Sequence, residues 1–363
     1  MTFTEKYVTV NGGGLHDGSS EANAWTLAEA ASNISAGDRI NMKAGTYVIS
    51  GAMVFSGLGG STSPSSLRGY KTTIGDMDEG QASQRVSGSD IPLIQVSGSD
   101  YFQWRNWGVV ENIATEIDSP STHGIYINPT GIVRRCRFSI TNSSSSAYQA
   151  NRTVYSTYTQ FHDCSFSSSD NSASLCGGNR SAWYGCYFSG GVNGVVGSAQ
   201  TFVTNCVFSG QTGNSITFTY GFGPIESNTF YNIGGNAIDV DNALGATAVK
   251  NNVFHTITGY AVSQLANEFE CFAESNLYYN CTAGEFSNDS FSLRRNEVTA
   301  SSDPFTDAAS NDFTLVSASG GYNGAAPKPY DLLDVNIAKD RGALQHADPA
   351  GGGGAVLHPL RSN

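Results

Sequence analysis

Apolar positions along this chain recur in short alternating runs and not at helical spacing. Ile125 and Ile127 flank Tyr126, Ile216 and Phe218 flank Thr217, and Ile238 and Val240 flank Asp239. Such alternation, bounded by Gly, Asn and Ser, predicts short half-buried strands whose apolar members face inward. The runs belong to a longer repeat. Cys136, Cys164, Cys186, Cys206, Asn228, Asn252 and Asn276 each stand two residues before an aromatic, at steps of 28, 22, 20, 22, 24 and 24 residues. A period in the low twenties predicts a solenoid, because one repeat cannot bury its apolar side without a neighbour. No Leu-x-x-Leu-x-Leu frame is present, so the expected class is all-β, a parallel β-helix. Identical positions of successive coils then stack at roughly 4.8 Å, and the Cys and Asn residues form an internal ladder.

One stretch reads differently. Ala24 to Ile34 places Trp25, Leu27, Ala28, Ala31 and Ile34 on one helical face, as a cap for the open end of the coils. A strand over Tyr7 to Val10 and a turn at Asn11 to Gly14 precede it. The chain therefore divides into a cap with helix and first strand over 1–49, a β-helix over 50–345, and a flexible or docking tail over 346–363 that contains Gly351 to Gly354. Tyr101, Trp104, Trp107 and Val109 are expected in the core. Ser143 to Ser146 and Ser167 to Ser169 are expected as polar loops.

Charge narrows the partners. A net charge of -12 argues against nucleic acid, which calls for a basic stripe, and against an unbridged grip on acidic polysaccharide. No run of 18 apolar residues suggests a membrane span, and Met1 to Lys6 does not open a signal peptide. Of the seven cysteines, four share the ladder position. Same-register neighbours in a parallel sheet point the same way, so these four are expected as reduced core thiols, with folding in a reducing cytoplasm. Cys176, Cys271 and Cys281 have no zinc spacing, and no metal site is expected.

The phrase Ala36-Gly37-Asp38-Arg39-Ile40-Asn41-Met42-Lys43-Ala44-Gly45-Thr46-Tyr47, with the helix before it, resembles the N-terminal signature of the right-handed parallel β-helix superfamily. That superfamily includes pectate lyases, chondroitinase-B-like lyases and many phage tail proteins. Ser66 to Tyr70 resembles its second-coil opening. Asp303-Pro304-Phe305, Asn311 to Leu315 and Asp340 to Leu344 resemble its exit segment. The resemblance covers about residues 7 to 345 and implies a right-handed solenoid with an N-terminal capping helix. It does not imply one function, since the scaffold hosts lyases, hydrolases, epimerases, adhesins and virion parts.

Chemistry must then come from outward positions. Asp239 and Asp241, at i and i+2 on one strand face, would lie roughly 6.5–7 Å apart, at the lower edge of the ~6.5–9.5 Å used by inverting glycosidases. The same pair equally reads as solvated acids or as a calcium site, and calcium is the one cofactor in view. Tyr126, Thr217, Thr219 and Ser263 are the expected contacts for sugar hydroxyls. A lyase would need clustered bases, but Arg152, Arg180 and Lys250 occupy unlike positions. His123, His162 and His255 are expected as surface or corner residues.

Three functions follow. The first is a bacteriophage virion protein, a tail spike, fibre or capsid decoration. It would contact a glycan or receptor, fold in the host cytoplasm, partner other virion proteins, form a homotrimer and carry out no catalysis. The second is a secreted polysaccharide lyase or glycoside hydrolase, and the third a non-catalytic carbohydrate-binding adhesin. The first is preferred.

Overall fold

A computed structural model describes residues 2–49, 51–55, 62–78, 87–97, 101–104, 108–118, 125–127, 131–142, 152–169, 174–219, 223–240, 246–264, 271–287, 293–310, 312–316, 319 and 342. The chain forms two compact units, Met1–Ala182 and Trp183–Asn363. Trp107, Asp241 and the tail over 346–363 lie outside the described residues.

Each coil of the first unit contributes three short strands, one to each of three parallel sheets. Sheet A takes Thr4–Val8, Asp38–Lys43, Ser66–Tyr70, Gly108–Glu111, Gly131–Arg134 and Gln160–His162. Sheet B takes Thr46–Ile49, Leu93–Ser97, Ala114–Asp118, Arg137–Asn142 and Ser165–Ser168. Sheet C takes Ala52–Phe55, Tyr101–Trp104, Ile125–Ile127, Arg152–Thr157 and Ser174–Asn179.

The second unit repeats the plan, and its sheets take the same letters. Its A strands include Pro224–Glu226, Thr247–Lys250 and Cys271–Glu274, its B strands Val207–Ser209, Thr229–Ile233, Val253–Ile257 and Leu277–Cys281, and its C strands Ile216–Phe218, Ile238–Val240 and Tyr260–Gln264. The expected class is therefore observed. Lys250 ends the A strand Thr247–Lys250, and Asn251 turns the chain toward the B strand Val253–Ile257.

That corner recurs. Asn112, Arg135, Asp163, Asn205, Ser227, Asn251, Ser275 and Asn296 all have left-handed φ between 52° and 59°. Asn and Asp tolerate this region because their short side chains bond locally, and one such residue suffices for a sharp bend. The ladder residue follows directly. Cys136, Cys164, Cys186 and Cys206 are buried free thiols, and Asn228, Asn252 and Asn276 are 0 % exposed.

In the second unit the ladder is hydrogen-bonded from Cys206 to Asn276. Cys206 N–H donates to Asn228 Oδ1 at 2.8 Å, Asn228 N–H to Asn252 Oδ1 at 2.8 Å, and Asn252 N–H to Asn276 Oδ1 at 2.9 Å. Glu297 ends the column by accepting from Asn276 Nδ2 at 3.2 Å. The aromatics stack beside it, with Phe188, Phe208, Phe230, Phe254 and Tyr278 at centroid separations of 4.6, 5.1, 4.9 and 5.2 Å.

The cap helix is shorter than the sequence suggests, Leu27–Asn33, because Thr26 begins it. The Thr26 hydroxyl accepts from Glu29 N–H while the Glu29 carboxylate accepts from Thr26 N–H, a reciprocal cap. Leu27 and Ala30 are buried, whereas Ala28 is exposed and Ala31 half-buried, so the apolar face is rotated from the expected one. The first strand ends at Val8, and Val10 is 44 % exposed.

At the far end an antiparallel pair, Phe305–Asp307 with Asp312–Leu315, lies over the outward side of sheet B. Phe305, Phe313 and Leu315 pack on Val207, Val253 and Leu277. This cover buries His255 to 4 % exposure, which corrects its expected surface position.

Candidate functional site

Sheet C of the second unit carries the candidate row. Ile216, Phe218, Ile238, Val240 and Val262 are 0 % exposed, so alternation turns Thr217, Asp239 and Ser263 outward. Parallel register sets Thr217 beside Asp239 and Asp239 beside Ser263, and all three are half-buried. Thr219 follows the strand, with its N–H on Gly197 O at 3.1 Å. Four of the five second-unit residues expected in the site, Thr217, Thr219, Asp239 and Ser263, therefore lie on or directly after the C strands of three successive coils. Asp241 is not among the described residues, and no separation between two carboxylates is assigned.

Tyr126 stands on the C strand Ile125–Ile127. Its strand belongs to sheet C of the first unit, where its backbone stands in register with Gln103 and Tyr155.

A second asparagine ladder positions Asp239. Asn193 Oδ1 accepts from Asn214 N–H at 3.0 Å, Asn214 Oδ1 from Asn236 N–H at 2.9 Å, and Asn236 Oδ1 from Tyr260 N–H at 2.9 Å. With its oxygen held inside the ladder, the Asn214 amide nitrogen points along the sheet. It donates to Asp239 Oδ2 at 2.9 Å and lies 3.4 Å from Thr217 Oγ1. A carboxylate, a hydroxyl and an amide are thus tied together at one point of the outward surface, and the Ser263 hydroxyl position adjoins them. Such a set accepts from and donates to vicinal hydroxyls. The reading of the sequence missed this ladder, although Asn193, Asn214 and Asn236 recur at steps of 21 and 22.

The first unit holds a charged cluster that sequence reasoning also missed. On sheet A, Arg68, Glu111, Arg134 and His162 stand in one column. Glu111, its side chain 6 % exposed, receives Arg134 Nε at 2.6 Å and Arg135 Nη2 at 2.9 Å, with Arg68 Nε at 3.4 Å. Arg68 also pairs with Asp78. Burial, reinforced by Arg134, lowers the His162 pKa, and burial raises that of Asp163 against the pull of Arg135. In the second unit the equivalent column runs Glu226, Lys250, Glu274, Arg295. Its signal was present in sequence as a charged residue directly before the corners at Ser227, Asn251, Ser275 and Asn296. Among the described residues no group of three or more His, Cys, Asp or Glu is disposed to hold a metal ion.

No family model matches the chain, and none of the curated proteins matches it. Solved structures do. Pectate lyase Pel9A is similar over 95 % of this chain and 97 % of its own, at 15 % identity and a TM-score of 0.65. Weaker likenesses are an alginate lyase from Paenibacillus (12 % identity, TM-score 0.45, 82 % of this chain and 99 % of that one) and a rhamnogalacturonan lyase (10 %, 0.47, 81 % and 87 %). The fold is the right-handed parallel β-helix of pectate-lyase-like proteins.

Proposed function

We propose that this protein contacts a glycan through the outward row of sheet C in its second unit. The observation that carries the reading is the Asn214 amide on Asp239 at 2.9 Å, in register with Thr217 and Ser263. Vicinal sugar hydroxyls can bridge a carboxylate and neighbouring hydroxyls, and a flat parallel sheet offers such sites at a regular rise. A place in a bacteriophage virion, as a homotrimer beside other virion proteins, belongs to the same proposal. The buried free thiols support it, since such a core suits folding in a reducing cytoplasm.

The test is calorimetric titration against a panel of bacterial surface polysaccharides and uronate oligomers. Asp239→Asn is expected to weaken binding about tenfold or more, the worth of a hydrogen bond to a charged group. Equal affinity of parent and variant for every glycan in the panel would reject the reading. Fragment release by the parent, lost in Asp239→Asn, would instead favour a polysaccharide lyase or hydrolase.

A further inference from the structure

On sheet B of the second unit, one residue breaks a column. Register places Thr256 between Asn232 and Asn280, and the three share left-handed φ of 55°, 56° and 55°. Asparagine suits that region. A β-branched residue does not, and Thr256 is the only one with positive φ among the described residues. A disfavoured residue held in place by its surroundings marks a site worth chemical scrutiny.

The Thr256 hydroxyl lies 3.0 Å from His255 Nδ1. On the other side of the ring, His255 Nε2 lies 3.0 Å from Asp303 Oδ1, an oxygen that also accepts from Phe305 N–H at 2.9 Å. A carboxylate accepts only, so the ring proton sits on Nε2 and the Nδ1 lone pair faces the hydroxyl. Tyr231, Tyr279 and Phe305 hold the imidazole between them, at centroid distances of 5.2, 4.9 and 5.1 Å. His255 is buried, Thr256 is half-buried, and Asn232 and Asn280 beside it are exposed. A nucleophile within reach of a base, and the base oriented by a third group, is the arrangement that activates a hydroxyl.

We propose that Thr256, His255 and Asp303 form a relay that hydrolyses short-chain carboxylic esters. Thr256 Oγ1 attacks the carbonyl carbon while its proton passes to His255 Nδ1, and Asp303 stabilises the imidazolium through Nε2–H. The carbon–oxygen bond to the alcohol breaks, and the alcohol departs with that proton. Water then attacks the acyl-threonine, returns a proton through Nδ1 to Oγ1 and releases the carboxylic acid. Asn280 Nδ2, 3.4 Å from Oγ1, supplies an amide donor for the carbonyl oxygen as it gains charge. The relay is on sheet B and the glycan row on sheet C, so each stands or falls without the other.

The experiment uses the full chain with 4-nitrophenyl acetate, following nitrophenol release and the mass of the peptide that contains Thr256. The parent is expected to give a burst and an acetyl group on Thr256, retained in Thr256→Ser. Asp303→Asn, at an exposed position, should slow release at least about tenfold. Thr256→Asn restores the residue type of the neighbouring coils, so it should abolish the burst with the melting temperature unchanged or raised. Parent release no faster than that of Thr256→Asn, or acetylation elsewhere only, would overturn the proposal.

Discussion

Asn252 donates twice to one atom: its backbone N–H, at 2.9 Å, and its side-chain Nδ2, at 3.0 Å, both reach Asn276 Oδ1. Asn228 does the same to Asn252 Oδ1, at 2.8 and 3.1 Å. Nδ2 of Asn252 also reaches Ile225 O, at 2.9 Å, so each rung ties two coils and the adjoining A strand. All of these groups are buried, where an orphaned donor cannot turn to water.

Asn252→Ala removes the acceptor for Asn228 N–H and for one Asn228 Nδ2 hydrogen, while Nδ2 keeps its bond to Val203 O at 3.0 Å. With about 1–3 kcal/mol for each buried group left unpaired, we expect a loss of about 2–4 kcal/mol in unfolding free energy, read from urea denaturation. A loss under ~1 kcal/mol would mean that water or a shifted backbone replaces the rung.

Glu111 gives the second prediction. It is buried among Arg68, Arg134 and Arg135, and Glu111→Gln leaves three guanidinium groups around a neutral amide. Breaking a buried pair on one side costs about 3–5 kcal/mol. Arg134→Ala should cost under about 1 kcal/mol, because that side chain is 38 % exposed and two arginines remain on Glu111. Comparable losses in the two variants would refute the asymmetry.

The ladder was legible in the sequence because stacking demands the same residue at the same place in every coil, and Cys206, Asn228, Asn252 and Asn276 repeat at nearly constant steps. The inward Ile238 and Val240 followed from alternation alone. His255 was not legible as a buried group. Its cover, Phe305 and Phe313, comes about fifty residues later in the chain, and no local period reports a contact at that separation. Asn214 was missed for a related reason. Its partner Asp239 lies in the next coil, so only register, and not spacing within a strand, brings the amide to the carboxylate.

His255 gives a pH prediction. Burial lowers its pKa from the ordinary value of 6.5, outweighing the opposing Asp303 contact; among the described residues the other titratable groups against the ring are Tyr231 and Tyr279. The folded chain thus takes up this proton less readily than the unfolded one. The stability due to the neutral ring is complete above about pH 6.5 and is lost as pH falls through the lower folded value. Melting temperatures of the parent and His255→Gln should therefore converge on acidification. A gap that stays constant from neutral to acidic pH would contradict this.

Gly235 links the fold to the glycan row. A Cβ there would stand 2.6 Å from Asn214 Oδ1 and 2.7 Å from Gly213 O, and neither neighbour is a free side-chain end. The Asn214 oxygen is held by Asn236 N–H, and the Gly213 oxygen accepts from Gly235 N–H at 2.9 Å. Gly235→Ala must push Asn214 outward, which costs about 1–3 kcal/mol as overpacking and moves the amide off Asp239. Stability and glycan affinity should therefore fall together in Gly235→Ala. In Asp239→Asn the stability loss should be smaller, because that half-buried side chain can turn to solvent. Isothermal titration and urea denaturation on both variants separate the cases: undiminished affinity in Gly235→Ala, at reduced stability, would show that the Asn214 amide does not position the carboxylate for its ligand.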